Sequence, residues 1–467
     1  MLILSFGQTI STSLSQVRGG GESTRERVAQ ICIVGDGAVA VAVADLISRR
    51  QAPDGASLEA RIICDDIARF AADFAQQSGR EGAVPELQGY LHSAVGKVKG
   101  LRHSLRQARS KEQSQEADRS SVSVSAFSLM SGLEAAATGL MHVDAGEVLS
   151  RPEVSVDSLS SFERAAEFEV VQAFIFACQA TRYGEYLERL APSINDGCSI
   201  VLLSAPPFAS LEVKHRLAAL RPGVQVDVIE VDEIFNCLEE RNGHVLMIDP
   251  ARRVNVAGPS LNETRRTMWL PAMLCRDVIP ASGLIERALL DAHSILRPGF
   301  LLAALLGGRL DGALSDISRL LNRANLSMFV EIEQELSRVA AVSHCQPVDL
   351  ARSLREEVDV RSSSQGPVCD VTLAEAIVTI AGKWFSAPAR AWSYTQAQES
   401  LCFYASSYLL PLSQLGDSLG IPTPVIDSVI SMASAITGQD LRACGRSFAV
   451  IGIDGKNGQE LLEFLAQ

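Results

Sequence analysis

The stretch Val28-Ala29-Gln30-Ile31-Cys32-Ile33-Val34-Gly35-Asp36-Gly37-Ala38-Val39-Ala40 decides the fold. An apolar, β-branched run passes into a Gly-x-Gly turn, and residues 41–49 continue as an apolar helix rich in alanine. After a polar loop holding Pro53-Asp54-Gly55, a second strand is predicted over 60–64, ending at Asp65-Asp66. Strand, helix and strand within about 40 residues make a βαβ unit, which implies a parallel sheet and a right-handed crossover.

Gly35-Asp36-Gly37-Ala38-Val39-Ala40 has the form G-x-G-x-x-A. In such a turn the first glycine permits the tight bend, and the second lets backbone N–H groups approach a pyrophosphate. The alanine keeps the helix close to the sheet, and the helix N-terminus carries partial positive charge. The spacing therefore points to a dinucleotide site, with a purely structural βα turn as the alternative reading. Asp65 stands where an acid would accept hydrogen bonds from the adenine ribose and repel a 2′-phosphate, favouring NAD over NADP. Arg61 and Arg69 nearby keep NADP open.

Further along, the alternation repeats. Strands are predicted over 173–177, 198–204 and 224–231, with helices over 181–190 and 210–220 between them. This is the pattern of a doubly wound sheet. Two more short strands are expected at 244–248 and 253–256. From about Leu261 the periodicity turns helical, with candidates at 282–306, 315–321, 328–342, 373–384, 396–415 and 424–437. Thr423 is the expected cap of the last of these. The fold class expected is thus α/β plus all-α. Residues 1–28 form a Ser/Gly-rich tail, residues 29–265 a Rossmann-like domain with a polar excursion near 105–130, and residues 266–467 a helical domain.

Composition narrows the function by exclusion. Lys+Arg number 42 against 55 Asp+Glu, a net charge of −13, so no global positive field attracts nucleic acid or an anionic membrane. The ten cysteines are scattered, with no C-x-x-C pair and no Cys/His cluster at zinc spacing, so no metal site is expected. Reduced thiols, no run of ~18 apolar residues and no basic region ahead of the short apolar start point to a cytoplasmic protein acting on small molecules.

The carboxy half carries the most distinctive segment: Leu410-Pro411-Leu412, then Leu419-Gly420-Ile421-Pro422-Thr423-Pro424-Val425-Ile426-Asp427, and later Cys444-Gly445-Arg446-Ser447 through Gly452. In order and content these segments resemble the octopine/nopaline (opine) dehydrogenase family. Three features of the amino half are similar to the staphylopine- and pseudopaline-type branch, which makes metallophores. They are the glycine turn, Phe176-Ala177-Cys178-Gln179-Ala180, and Leu203-Ser204-Ala205-Pro206-Pro207-Phe208.

The resemblance implies reductive condensation of an amine with a 2-oxo acid such as pyruvate or 2-oxoglutarate. The reductant is NADH or NADPH, and the expected assembly is a homodimer. It implies a catalytic histidine opening the helical domain, often in an H-P context; here His293 matches and Ser294 replaces the proline. Read from pattern alone, a lone histidine in an apolar helix is more often a packed or capped core residue. The acid that the metallophore branch carries after its sixth strand falls on Asp232 or Glu233. Cofactor contacts are carried over to Gly35, Asp36, Gly37, Ala38, Val39, Ala40, Asp65, Cys178, Ser204 and Pro206.

One departure matters. The R-Y-x-x-E-D-like segment of many opine enzymes reads Gln398-Glu399-Ser400-Leu401-Cys402-Phe403-Tyr404 here, without the arginine. Candidates for binding a substrate carboxylate are then arginines by type, Arg287 and Arg297 foremost, with Arg309 and Arg390 behind them. The competing functions are a hydroxy-acid dehydrogenase on the same plan and a non-catalytic nucleotide- or partner-binding member.

Overall fold

The computed structural model describes residues 28–35, 39–40, 43, 47, 57–64, 147–148, 155–158, 171–241, 244–250, 253–274, 277–306, 323–353, 394–456 and 458–465. The polar excursion, the helices at 315–321 and 373–384, and all of the expected 1–28 tail but Val28 lie outside these residues; Val28 itself begins the first strand.

The amino half is built on β1 (Val28–Val34), β2 (Ser57–Cys64), β3 (Glu147–Val148), β4 (Ser155–Ser158), β5 (Ala173–Phe176), β6 (Ser199–Leu202) and β7 (Asp227–Val231). Between the later strands run α1 (Tyr183–Leu190) and α2 (Ala209–Leu220). Then come β8 (Phe235–Arg241), β9 (His244–Pro250), β10 (Arg253–Ala257), α3 (Leu261–Thr267), α4 (Trp269–Leu274) and β11 (Asp277–Pro280). Eight of these strands form one sheet in the order β11-β10-β7-β6-β5-β1-β2-β4. Pairing is parallel throughout except between β7 and β10. β3, β9 and β8 make a small antiparallel sheet.

The central strands read as unbroken apolar runs because both faces of a parallel sheet are covered. Phe174, Phe176, Ile200, Leu202 and Val228 pack with Tyr183, Tyr186, Leu187 and Leu190 of α1 and with Val213 and Leu217 of α2. The described helical residues after β1 include Ala40, Val43 and Ile47, all fully buried at a spacing that lays one stripe on the sheet.

The carboxy half comprises α5 (Leu284–Leu290), α6 (Ala292–Leu306), α7 (Arg323–Val342) and α8 (Tyr394–Tyr404). A π turn (Ala405–Leu409) leads into α9 (Leu410–Ser418), followed by α10 (Pro424–Thr437), α11 (Leu441–Cys444), α12 (Phe448–Ile451) and α13 (Gly458–Leu465). Its core joins Ile295, Phe300, Phe329, Ile332, Leu336, Leu401, Leu409 and Ile430. Gly299 brings α6 against α7, since a Cβ there would lie 2.5 Å from the Phe329 ring. No single described helix is long and apolar enough to cross a membrane. The pair α5–α6 would pass only together and across a 42° bend, with α6 largely buried in this core.

Several expectations are corrected. The sheet extends through β11, so the change from sheet to helices falls after Pro280 rather than near residue 265. β8 escapes a sequence reading because Asn236, Glu239, Glu240 and Arg241 dilute its apolar residues. The helix expected over 282–306 breaks at Asp291, whose extended ψ of 70° ends α5. That over 396–415 is interrupted by the π turn. Thr423 makes no capping bond. Instead Glu335, buried on α7, accepts hydrogen bonds from Val425 N (2.7 Å) and Ile426 N (3.0 Å) at the start of α10. A full carboxylate satisfies two orphan N–H groups where a hydroxyl satisfies one.

Candidate active site

β1 and β5 meet at Gly35. Ala177 N donates to Val34 O at 2.9 Å, and a Cβ on Gly35 (φ 155°) would lie 2.6 Å from the Ala177 carbonyl oxygen. Only a bare backbone fits this approach, at the strand edge where an open α/β sheet binds its ligand. The bare Gly35 backbone thus closes β1 onto β5 at the strand ends, the place where sheets of this kind receive a dinucleotide. Of the other expected contacts, Val39 is half-buried and Ala40 buried in the following helix, while Asp36, Gly37, Ala38 and Asp65 lie outside the described residues. Cys178 is half-buried just past β5. Ser204 and Pro206 sit in the loop after β6, where Ser204 (φ 48°) and Phe208 (φ 62°) both adopt left-handed backbone. Non-glycine residues accept such conformations only when their surroundings hold them.

Three donors from the helical half hold this loop. Tyr408 O–H donates to Ser204 O at 2.6 Å, Arg446 Nη1 to Pro207 O at 3.2 Å, and Arg287 Nη2 to Ala205 O. Arg446, from the Gly445-Arg446 segment, also pairs with buried Glu212 of α2 at 2.7 Å.

Beside the loop, at the end of β7, a cavity of about 490 Å³ is lined by Asp232, Glu233, Asn255, Asp291 and His293. The sequence candidates His293, Asp232 and Glu233 thus share one wall. His293 is the second residue of α6 and is 8% exposed. Asp291 caps that helix, its Oδ1 accepting from Ser294 N at 3.1 Å, a bond that a proline at 294 would forbid. Asp232 is held by Asn255 N (3.1 Å) and Asn255 Nδ2 (2.7 Å). Burial pushes its carboxyl up to about 6 against the pull of Arg287, with Asp291 adding to the rise. Burial likewise raises Glu233, with Arg297 opposing.

Neither favoured arginine lines the cavity. Arg287 is fully buried and spends its guanidinium on Asp232 (3.0 Å), Glu230 (3.1 Å) and the Ala205 carbonyl, with Asp291 at 3.7 Å. Burial alone would lower its basicity; the three carboxylates outweigh it and hold the guanidinium charged. Arg297 pairs with Glu233 at 3.1 Å, donates to the Tyr404 hydroxyl and lies over that ring, 4.8 Å from its centroid. Both are struts rather than open arms. The arginine among the described lining residues is Arg352, which lines the cavity together with Gln346 and Asp349. Sequence reading passed over it because it sits at the start of a helical stretch without a motif, and only the fold brings 346–353 to the cavity that His293 lines.

No protein-family model matches the chain. An opine dehydrogenase of Arthrobacter sp. (strain 1C) is 40% identical over 50 residues, 11% of this chain, so the match spans 14% of that relative's length. Octopine dehydrogenase solved with NADH and L-arginine superposes with a TM-score of 0.56 at 15% identity, covering 94% of this chain and 98% of that one. Yersinopine dehydrogenase in its apo form gives 0.52 at 13% identity, covering 94% and 97%. Across nearly its whole length, this chain has the two-domain fold of these opine dehydrogenase structures.

Proposed function

We propose that the protein is an opine-type dehydrogenase that joins an amine to a 2-oxo acid by reduction. The observation that carries the proposal is the one cavity that His293, Asp232 and Glu233 line together at the end of β7 in a Rossmann-like sheet. The short identity to an opine dehydrogenase and the shared fold support the same reading. NADH or NADPH, when bound, supplies the hydride.

The protein's residues manage protons and placement. His293 takes a proton from the substrate ammonium, freeing the lone pair that forms the C–N bond at the oxo carbon. The same imidazolium returns a proton to the departing hydroxyl, so that water leaves and a C=N bond remains. Asp232 and Glu233 supply the negative potential that favours both the imidazolium and a protonated imine. Arg352 offers a fork for a substrate carboxylate in the cavity that His293 lines. A pyrophosphate would be received at the strand ends by the turn that begins at Gly35. The metallophore-type product is the finer reading, supported by the segments around Cys178 and Ser204.

The test is product analysis. The purified protein is incubated with NADH or NADPH, pyruvate or 2-oxoglutarate, and a panel of amines including basic amino acids. Mass spectrometry should find a secondary amine whose mass is that of both substrates, less water, plus two hydrogens. Reduction of the oxo acid to a hydroxy acid regardless of amine, or no oxidation of either cofactor, would refute the reading.

A further inference from the structure

The buried hydroxyl of Tyr408 has no role in the reaction as described, yet it joins the two halves of the site. Tyr408 is 1% exposed and belongs to the π turn between α8 and α9. Such turns interrupt helices chiefly where function demands a displaced side chain. Its hydroxyl donates to the carbonyl of Ser204, the residue in left-handed conformation at the end of β6. Its hydroxyl also stands close to the Ser294 side chain, Asp291 and Arg287. Ser294 follows His293 in the first turn of α6 and stands where the resembling family often has proline, which has no hydroxyl to offer. One phenol therefore holds the loop after β6 by a hydrogen bond and stands beside the turn that carries the histidine. Arg287 and Arg446 also hold the loop, at the carbonyls of Ala205 and Pro207.

Resting on the function proposed above, we infer that Tyr408 is a positioning residue. Bonded to Ser204 and seated beside Ser294, its hydroxyl keeps the loop after β6 and the His293 turn in fixed register. An ångström of slack between hydride donor and proton donor slows such a reaction about a hundredfold.

The test uses Tyr408→Phe, which keeps the ring and its packing on Phe403 (5.8 Å) and Tyr404 (5.4 Å) while deleting the hydroxyl. The variant should bind NADH or NADPH, followed by quenching of protein fluorescence, about 3- to 10-fold more weakly, by the loss of one buried hydrogen bond. Its kcat should fall by ~10-fold or more. Ser294→Ala should lower kcat less, and the double variant should be no slower than Tyr408→Phe, because both changes cut one chain of contacts. If Tyr408→Phe melts earlier yet keeps wild-type affinity and kcat, or if the two effects simply multiply, the hydroxyl only satisfies a buried carbonyl and the inference is wrong. If the wild-type protein binds neither dinucleotide, the functional reading fails first and takes this inference with it.

Discussion

Arg287 Nε lies 3.0 Å from Asp232 Oδ1, joining the first helix of the carboxy half to the end of β7. Glu230 and Asp291 share the same guanidinium, so one buried cation meets three carboxylates. Burial raises the carboxyls of both Glu230 and Asp232, and the Arg287 charge opposes the rise at each.

Arg287→Met should therefore cost on the order of 3–5 kcal/mol, because it strands buried carboxylates without their partner. Urea unfolding of the variant checks this. A stable variant with only a raised KM for the oxo acid would return Arg287 to the substrate-binding role expected from its residue type.

Arg352→Ala should behave in the opposite way. The residue is exposed on the cavity wall, so thermal stability should change little while KM for one carboxylate substrate rises about 10-fold or more. Unchanged KM values for both substrates would remove Arg352 from the site.

The raised carboxyl of Asp232 has a consequence for stability against pH. A group protonated more readily in the folded than in the unfolded chain stabilises most below its unfolded value near 4. That stabilisation is lost as pH climbs through about 6. Asp232→Asn cannot titrate. The melting temperature of wild type relative to Asp232→Asn should thus rise as pH falls from 7 to 4, and parallel curves would contradict the account.

How much of this was legible in the sequence follows from the range of the interactions. Val28 to Gly35 reads as strand and turn because its pattern is local, and β5, β6 and β7 read as apolar runs because both their faces are buried. His293, Asp232 and Glu233 were found through resemblance, and the fold sets them on one cavity wall. What escaped depends on partners far apart in the chain. Glu335 caps a helix that begins at residue 424, and Tyr408 reaches Ser204. No periodicity announces either bond. The break at Asp291 was hidden because the residues on both sides are good helix formers.

The Glu335 cap is open to a direct check. Glu335→Ala leaves the N–H groups of Val425 and Ile426 without their buried acceptor and should destabilise the protein by about 2 kcal/mol. Thr423→Ala, which removes no capping bond, should cost less than half as much. Equal losses would mean that Glu335 contributes nothing specific to α10.

The central claim is that His293 moves the protons of a dinucleotide-dependent condensation. The decisive measurement compares His293→Asn with wild type for cofactor oxidation in the presence of an amine and a 2-oxo acid, alongside dinucleotide binding and circular dichroism. The account predicts a rate lower by ~10²–10⁴-fold with binding and fold intact. A folded variant turning over near the wild-type rate, or one that fails to fold at all, would contradict it and make His293 a packed residue of the helical core.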